Sequence, residues 1–498
     1  MNAPLRRVGI VVLVLFALLF INLNWVQAYK ANAYRTSQYN GRVQLTEYQK
    51  QRGAILDANG TVIATSVPTS DTLKYKRTYP LGAEFQPIVG YRPVNLGATG
   101  VERAENAYLS GTANDRLEDI FFNSTQAGGN VTLTLEKKVQ QVAYDDIINN
   151  GDNANVGAAV ALDPTTGKIL ALVSTPSYDP NKLVGHDTKQ ALTSYNILNK
   201  QTPNPLVNRA ISQTFPPGST FKVIDSAAAL SSGKYTPDSV IPAGPSYSPI
   251  PGAGNPIHND EASTCPGATI SLIDALTISC NTAFAQLGVS LGADTIKAEA
   301  QAFGFGSTSL TLAGSGSSAI GVAASETGNM ADADGKDDPN FVAQSSIGQY
   351  DVRMTPMQGA LMAETVANGG VQMKPYLVSK IQDSDLKTTF AADPGGSVLR
   401  TPISPQVASQ LQTMMQSVVE NGTATNAKIG GYVVAGKTGT AQNTSGAQNH
   451  RWFIGYAMKD GKPIAAVAVL LVNAGNLGKQ SAPKIAGDIL KAAIAAKG

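Results

Sequence analysis

The apolar positions of the chain begin with one long run near its start. Two arginines precede residues 8–26, which are apolar apart from two asparagines. Read as far as residue 28, the run has the roughly 20 residues that cross a bilayer, so it predicts a membrane anchor over residues 1–28. A cleaved signal peptide is the alternative, with Val26-Gln27-Ala28 or Ala31-Asn32-Ala33 as the small-residue site. In both cases the rest of the chain is expected outside the cytoplasmic membrane, with the arginines inside.

The pattern over residues 29–150 is rich in short strands with long connections. Two short apolar runs flank Asp57-Ala58-Asn59-Gly60, and Asn-Gly supplies the backbone angles of a tight hairpin turn. Residues 131–135 alternate as a half-buried strand, and residues 136–148 carry a helical stripe. None of these stretches offers a nucleophile and a base, so the region is expected to be a spacer or oligomerisation module.

Residues 151–498 contain both the alternating pattern of strands and the three-to-four-residue pattern of helices. Two apolar runs, 156–162 and 169–173, flank a turn and predict a hairpin that opens a new sheet. Residues 242–263 are irregular and rich in Pro, Gly and Ser, which predicts a surface loop. Helical stripes occur over residues 270–278, 355–369, 407–419 and 484–497, and strand patterns over 432–434, 452–457 and 464–472.

Composition narrows the function classes. With 498 residues and 43% apolar content, the chain can form two or three domains with sizeable cores. Its 38 basic and 36 acidic residues nearly balance, and no dense lysine or arginine run occurs, which argues against nucleic acid as the main partner. Three histidines and two cysteines show no metal-binding spacing, so neither a metal nor a cofactor is expected.

The first candidate for chemistry is Ser219 with Lys222. Phe215-Pro216-Pro217-Gly218 breaks the backbone immediately before them, and strong helix formers follow. Residues three apart share a helix face, so a hydroxyl and an amine are presented together near a helix N-terminus. A serine can be activated in this way without histidine. The spacing alone is weak, since Ser384-Asp385-Leu386-Lys387 also has it in a polar stretch predicted to be a loop.

The second candidate is Ser279-Cys280-Asn281, which follows a predicted helix. The hydroxyl could transfer a proton and the amide could bind substrate. Ser194-Tyr195-Asn196 has the same spacing but precedes Ser219, and a helix cap or turn would explain either match.

The third candidate is Lys437-Thr438-Gly439-Thr440 after a strand pattern. A phosphate-binding loop is rejected, because the residues after Gly431 form a strand pattern instead of a glycine-rich cradle and no helix pattern follows. Alternation on a strand places Lys437 and Gly439 on one face and the two threonines on the other. Gly439 would leave room for a ligand backbone against the strand edge.

Taken in order, Ser-x-x-Lys, Ser-x-Asn and Lys-Thr-Gly resemble the motifs of penicillin-binding proteins and serine β-lactamases. Arg52-Gly53-Ala54-Ile55-Leu56-Asp57, Arg77-Thr78-Tyr79-Pro80 and Gly100-Val101-Glu102 are similar to class B penicillin-binding proteins. The resemblance implies an α+β fold, with an antiparallel sheet flanked by helices over residues 151–498 and a smaller β-rich domain over residues 29–150. Cys280 in the middle of the second motif departs from the family pattern.

The resemblance also implies a role for each motif residue in serine D,D-transpeptidation of peptidoglycan stem peptides, with acylation by β-lactams. Ser219 would be the nucleophile, Lys222 its base, and Ser279 the proton relay to the departing D-alanine. Backbone N–H groups of Ser219 and Thr440 would form the oxyanion hole. The substrate would be bound by Asn281, Lys437, Thr438, Gly439 and Thr440.

Several alternatives stay open. Water could resolve the acyl-enzyme, as in a D,D-carboxypeptidase or a β-lactamase, although nothing around Glu326 identifies it as the carboxylate of the latter. A non-catalytic cell-wall scaffold is a further possibility. Cys265 and Cys280 are either a disulfide, which an exported domain permits, or two buried thiols. The family resemblance makes a SEDS-type glycan polymerase an expected membrane partner.

Overall fold

The N-terminal segment forms one long helix in the computed structural model. That model describes residues 2–30, 34, 47–112, 127–149, 155–252, 256–260, 265, 267–442, 448–475 and 480–497. The helix Asn2–Asn24 continues into a π-helical turn, Trp25–Tyr29, and its large apolar side chains are exposed. Its 27 residues from Ala3 to Tyr29 are long and apolar enough to cross a membrane, because a 27-residue helix is about 40 Å long. The alternative cleavage site at 31–33 lies outside the described residues.

A six-stranded sheet forms the body of the N-terminal lobe. Its strands, in spatial order, are Thr388–Ala391, Val378–Gln382, Asn130–Leu133, Ile55–Leu56, Val62–Pro68 and Tyr75–Thr78. The hairpin predicted at Asn59-Gly60 is confirmed, since Ile55 pairs with Ala64 and Gly60 has a φ of 84°. The first two strands of this order come from far beyond residue 150, so the lobe is assembled from two distant parts of the chain.

A buried ion cluster holds this lobe together. Glu102 receives hydrogen bonds from Arg52 Nε at 2.7 Å and Arg77 Nε at 2.6 Å, and Tyr79 donates its hydroxyl at 3.1 Å. Both arginines and the carboxylate are buried. Arg77 also donates to the Gly53 carbonyl at 2.7 Å. The three stretches that resemble class B proteins therefore meet at a single carboxylate.

A five-stranded antiparallel sheet organises the larger lobe. In spatial order its strands are Val433–Ala441, His450–Lys459, Lys462–Leu471, Gly157–Leu162 and Ile169–Thr175. The predicted hairpin at residues 156–173 and the C-terminal meander are thus confirmed. Every residue of the strands Gly157–Leu162 and Ile169–Thr175 is buried, so both faces of the sheet are covered there. The strand Val433–Ala441 lies at one edge.

Helices cover this sheet. Lys137–Ile148 and Ser481–Ala496 pack on each other and on the sheet, and the fully buried helix Pro356–Ala367 also packs against it. Ser404 caps Pro405–Glu420, which packs on the edge strand. The other α-helices among the described residues are Gln86–Val89, Gly100–Ala104, Asn106–Leu109, Thr188–Asn199, Lys222–Ser231, Leu272–Thr277, Asn281–Leu291, Ala293–Ala302 and Pro339–Ser345.

Two sequence predictions in the middle of the chain are wrong in part. The predicted helix over residues 270–278 begins later, at Leu272–Thr277, because Ile270 pairs with Ile241 in a strand and Ser271 caps the helix. The predicted loop over residues 242–263 contains short strands. In the part of the chain that the structure describes, the remaining strands are Val240–Pro242, Ser246–Tyr247, Ile257–His258, Thr269–Ser271, Thr311–Ala313, Ile320–Gly321, Gln372–Met373 and Val398–Arg400.

Candidate active site

The first motif forms a tight turn followed by a helix, as its breaker residues predict. Gly218–Thr220 is one 3-10 turn, and Lys222–Ser231 continues as an α-helix. Gly218 has a φ of 54° and donates its N–H to the Gly348 carbonyl at 2.9 Å. Ser219 keeps 7% of its surface exposed, whereas Lys222 is fully buried. Ser219 therefore keeps a small part of its surface in contact with solvent, whereas Lys222 is enclosed by protein.

The third motif lies directly on this turn. A Cβ atom on Gly218 would lie 2.4 Å from the Thr440 carbonyl oxygen, and one on Gly439 would lie 2.6 Å from the Pro217 carbonyl oxygen. Two glycines thus permit a backbone contact that any side chain would prevent. Pro217 and Thr220 fill the space where a Cβ of Gly439 would lie, so the glycine is required for contact with the serine turn. Pairing of a ligand backbone along the edge of this strand stays a prediction.

The second motif is held in an unusual backbone conformation. Ser279 lies between the helices Leu272–Thr277 and Asn281–Leu291 and has a φ of 64°. Positive φ is uncommon for residues other than glycine, and such strain concentrates at functional sites. Both the carbonyl and the hydroxyl of Ser279 accept hydrogen bonds from lysine amines.

Hydrogen bonds join the three motifs. Lys222 Nζ donates to the Ser279 carbonyl at 2.9 Å and to Asn281 Oδ1 at 2.7 Å, and lies 3.3 Å from Ser279 Oγ. Lys437 Nζ lies 2.9 Å from Ser279 Oγ and 3.0 Å from the Thr438 carbonyl oxygen. The Ser279 hydroxyl is therefore shared by two amines that come from a helix and a strand far apart in the chain.

Burial changes the charge that these amines can carry. Burial lowers the pKa of Lys222 to about 7, although Asp260 and Asp225 oppose the shift. Burial, followed by repulsion from Lys222, lowers the pKa of Lys437 well below its usual value. Two ammonium groups around one hydroxyl are costly in a site that excludes water. A neutral Lys222 can accept a proton near neutral pH.

Two residues of this site were missed by the sequence analysis. Arg451 pairs with Thr440 across the strands, and its Nη1 donates to Thr440 Oγ1 at 2.8 Å. Asp260 accepts a hydrogen bond from Asn281 Nδ2 at 3.2 Å. The lone arginine at the start of an apolar strand was an available signal for Arg451. Asp260 lies in an irregular stretch, and no sequence signal marked it as a site residue.

The competing sequence matches lie elsewhere. Ser384–Lys387 occupies the exposed turn between the strands Val378–Gln382 and Thr388–Ala391. Ser194–Asn196 lies within the helix Thr188–Asn199. Glu326 pairs through its backbone with Arg353, and within the described ranges no hydrogen bond links it to the motif residues.

A disulfide fixes the second motif. The sulfur atoms of Cys265 and Cys280 are bonded, and their Cα atoms are 5.9 Å apart. Cys280 is also the N-cap of the helix Asn281–Leu291, where its sulfur accepts the Ala283 N–H. The residue that departs from the family motif therefore attaches the motif to a second segment.

Comparison with known families identifies the class. Residues 157–491 match the model of the penicillin binding protein transpeptidase domain, and residues 52–131 match that of the penicillin binding protein A dimerisation domain. The matched transpeptidase region covers more than half of the chain and contains all three motifs. The chain belongs to the penicillin-binding protein transpeptidase family.

Within that family, the resemblance to penicillin-binding protein A extends over the full length. The peptidoglycan D,D-transpeptidase PbpA of Mycolicibacterium smegmatis is 40% identical, covering 100% of this chain and 99% of the relative. PbpA of Mycobacterium tuberculosis is 38% identical with the same coverage. The imipenem acyl-enzyme structure of the M. tuberculosis protein has a TM-score of 0.80 at 36% identity, covering 90% of this chain and 100% of that one.

Proposed function

We propose that Ser219 is the nucleophile of this peptidoglycan D,D-transpeptidase and forms an acyl-enzyme with the donor stem peptide. The observation that carries this assignment is the meeting of Lys222 and Lys437 on the Ser279 hydroxyl, directly beside the turn that bears Ser219. Structures of penicillin-binding protein A from M. tuberculosis have been solved as acyl-enzyme complexes with imipenem and with penicillin G. Acylation by β-lactams is expected at the same hydroxyl here.

Acylation begins with proton transfer from Ser219 to neutral Lys222. The serine oxygen then attacks the carbonyl carbon of the penultimate D-alanine, and a tetrahedral intermediate forms. Backbone N–H groups of Ser219 and Thr440 would stabilise its oxyanion, each contributing about 3 kcal/mol. The C–N bond breaks when Ser279 gives its proton to the departing D-alanine nitrogen, and Lys222 replaces that proton.

The donor peptide would bind along the edge strand Val433–Ala441, whose free side can pair with an extended chain. Lys437, Thr438 and Thr440 would bind its terminal carboxylate, and Arg451 adds a guanidinium beside Thr440. Asn281 would hydrogen-bond the peptide amide. An amine of a second stem peptide then attacks the ester carbonyl, which releases Ser219 and forms the cross-link.

Labelling with a fluorescent penicillin tests the nucleophile. Wild type should be labelled and Ser219→Ala should not, with the adduct mapped by mass spectrometry to the peptide containing residue 219. Ser384→Ala is the matched control, because Ser384 has the same Ser-x-x-Lys spacing in an exposed turn. Equal labelling of Ser219→Ala and wild type would remove the assignment.

For the whole chain, the expected arrangement is an anchor over residues 1–28, a non-catalytic domain over 29–150 and the transpeptidase domain over 151–498, which lends the strands Val378–Gln382 and Thr388–Ala391 to the sheet of the non-catalytic domain. The exposed apolar helix Ala3–Tyr29 supports a single-pass anchor. The catalytic lobe would then lie outside the cytoplasmic membrane, where peptidoglycan is cross-linked, and a SEDS-type glycan polymerase would contact the anchor and the N-terminal lobe. An enzyme tag after Gly498 that works only in the cytoplasm would contradict this orientation.

A further inference from the structure

Asp260 is fixed at the active site by one asparagine of the second motif. The Asn281 side-chain amide donates to Asp260 Oδ1 at 3.2 Å and to the His258 carbonyl at 3.1 Å. The Asn281 backbone N–H donates to Asn259 Oδ1 at 2.9 Å. Residues 258–260 are therefore held in place on the start of the helix Asn281–Leu291.

The same amide connects Asp260 to the catalytic base. Asn281 Oδ1 accepts a hydrogen bond from Lys222 Nζ at 2.7 Å, while its Nδ2 donates to Asp260. The charge of Asp260 acts on Lys222, Lys437 and Arg451, because it raises the pKa of each against the effect of burial. The aspartate thus lies within electrostatic range of the three cations of the site.

Exposure separates Asp260 from the other charged groups. Lys222 and Lys437 are completely buried, whereas Asp260 is exposed. The site therefore presents the side chain of an acidic residue to solvent and keeps its amines inside. A carboxylate here repels the carboxylate end of the donor peptide and attracts a cation.

The reaction requires such a cation after acylation. The second substrate is an amine, which is an ammonium ion in solution at neutral pH. We propose that Asp260 is the anionic subsite that draws the ammonium group of the acceptor peptide to the acyl-enzyme. This inference rests on the proposed function and names the group that recognises its second substrate.

The chemical step that follows is balanced without any further reagent. The bound ammonium loses one proton to water, and its nitrogen then attacks the ester carbonyl carbon. A C–N bond forms and the bond between that carbon and Ser219 Oγ breaks. The second proton of the nitrogen passes through Lys222 to Ser219 Oγ, which restores the free hydroxyl.

The test measures the ratio of aminolysis to hydrolysis of the acyl-enzyme, that is, how often an amine and how often water attacks the ester. Full-length enzyme in detergent is given a D-alanyl thioester donor with glycinamide, whose amine is largely protonated below its pKa, or with hydroxylamine, a weak base that is uncharged at neutral pH. Because an exposed ion pair is worth up to about 1 kcal/mol, Asp260→Asn should lower the aminolysis-to-hydrolysis ratio with glycinamide about fivefold and leave the ratio with hydroxylamine unchanged. Added salt should reduce the glycinamide ratio in wild type and not in the variant.

Asp238→Asn is the matched control, because Asp238 is an exposed aspartate outside the site and its substitution should change neither ratio. Asp260→Glu should restore part of the glycinamide ratio. A glycinamide ratio equal to wild type in Asp260→Asn, or an equal fall for glycinamide and hydroxylamine, would overturn the inference. Wild type that hydrolyses the donor with every amine present would instead overturn the proposed function itself.

Discussion

At the scale of single residues, the site depends on how two amines are accommodated around one hydroxyl. Lys222 and Lys437 are buried and both contact Ser279 Oγ, so protonation of both at once would place two positive charges together without water. Burial lowers the pKa of Lys222 to about 7, which gives Lys222 the neutral form that a base needs. The unusual φ of Ser279 brings its hydroxyl and its carbonyl to these amines together.

The pH dependence of acylation follows from this. Lys222 has a pKa of about 7 and must be neutral to accept the Ser219 proton, so acylation should be lost as the pH falls. With one controlling proton, the acylation rate with penicillin G should fall about tenfold for each pH unit below about 7. Stopped-flow labelling from about pH 8 to about pH 5 measures it. A flat profile in that range would exclude Lys222 as the base.

Gly439 offers a test of the contact between the first and third motifs. In Gly439→Ala, the new methyl would lie 2.6 Å from the Pro217 carbonyl oxygen, so the serine turn must move away from the strand. A shift of about 1 Å can cost about a hundredfold in rate, so acylation should fall by about that factor while the protein stays folded. Gly430→Ala is the control, since a Cβ there meets no atom within 4 Å. Equal acylation rates in the two variants would show that the contact is not needed.

Sequence reasoning at this scale found the motif residues because each has a defined spacing to the next. Arg451 and Asp260 have no such spacing, since strand pairing brings one to Thr440 and folding of an irregular segment brings the other to Asn281. The contact of Gly439 with the serine turn was not predictable either, because the alternation of a strand gives the face on which a residue lies but not what packs against that face.

At the scale of elements, the second motif is a short turn between two helices. A disulfide links this turn to Cys265. The bridge closes a loop of 15 residues. In Cys265→Ala that link is lost, but the thiol of Cys280 still caps its helix. The variant should lose about 3 kcal/mol of unfolding free energy, and acylation should slow because Ser279 is less well fixed.

Denaturant unfolding with and without reductant measures the effect of the bridge. Wild type in reductant should match Cys265→Ala, and reductant should leave the variant unchanged. A variant as stable as oxidised wild type would contradict a stabilising role for the bridge.

The length of an element decided whether its type could be predicted, because a long element shows its hydrophobic period over more positions than a short one. Pro356–Ala367 and Pro405–Glu420 present several turns of apolar residues, so their pattern is unambiguous. Ile270 belongs to a three-residue strand whose partner, Ile241, is distant in sequence. A three-residue stretch has too few positions to distinguish the helical period from the strand period.

At the scale of the whole molecule, the N-terminal lobe depends on the buried carboxylate of Glu102. Burial alone would raise the pKa of Glu102, but Arg77 and Arg52 outweigh it and lower the pKa to about 2. Breaking such a pair leaves buried charges unpaired, so Glu102→Gln should destabilise the protein by about 3–5 kcal/mol. Thermal unfolding followed by circular dichroism measures this loss.

The paired control for Glu102→Gln is Glu420→Gln, which removes an exposed carboxylate from the end of Pro405–Glu420. It should change the stability by less than about 0.5 kcal/mol. A Glu102 variant that unfolds at the same temperature as this control would show that the arginines find other partners.

The six-stranded sheet was the feature of the whole molecule least accessible to sequence reasoning. Its hairpin at Asn59-Gly60 is local and was predicted, whereas the pairing of Asn130–Leu133 with Val378–Gln382 joins segments about 250 residues apart. No periodicity within either segment specifies that partner.

That distant pairing sets an order of events during biogenesis. A chain that emerges N-terminus first presents Asn130–Leu133 long before Val378–Gln382 has been synthesised, so one edge of the sheet must wait uncovered. Because the missing strands arrive only with the C-terminal third of the chain, nascent protein stalled before residue 378 should be bound by chaperones or degraded. The N-terminal lobe is therefore completed among the last, although its first strands are translated early.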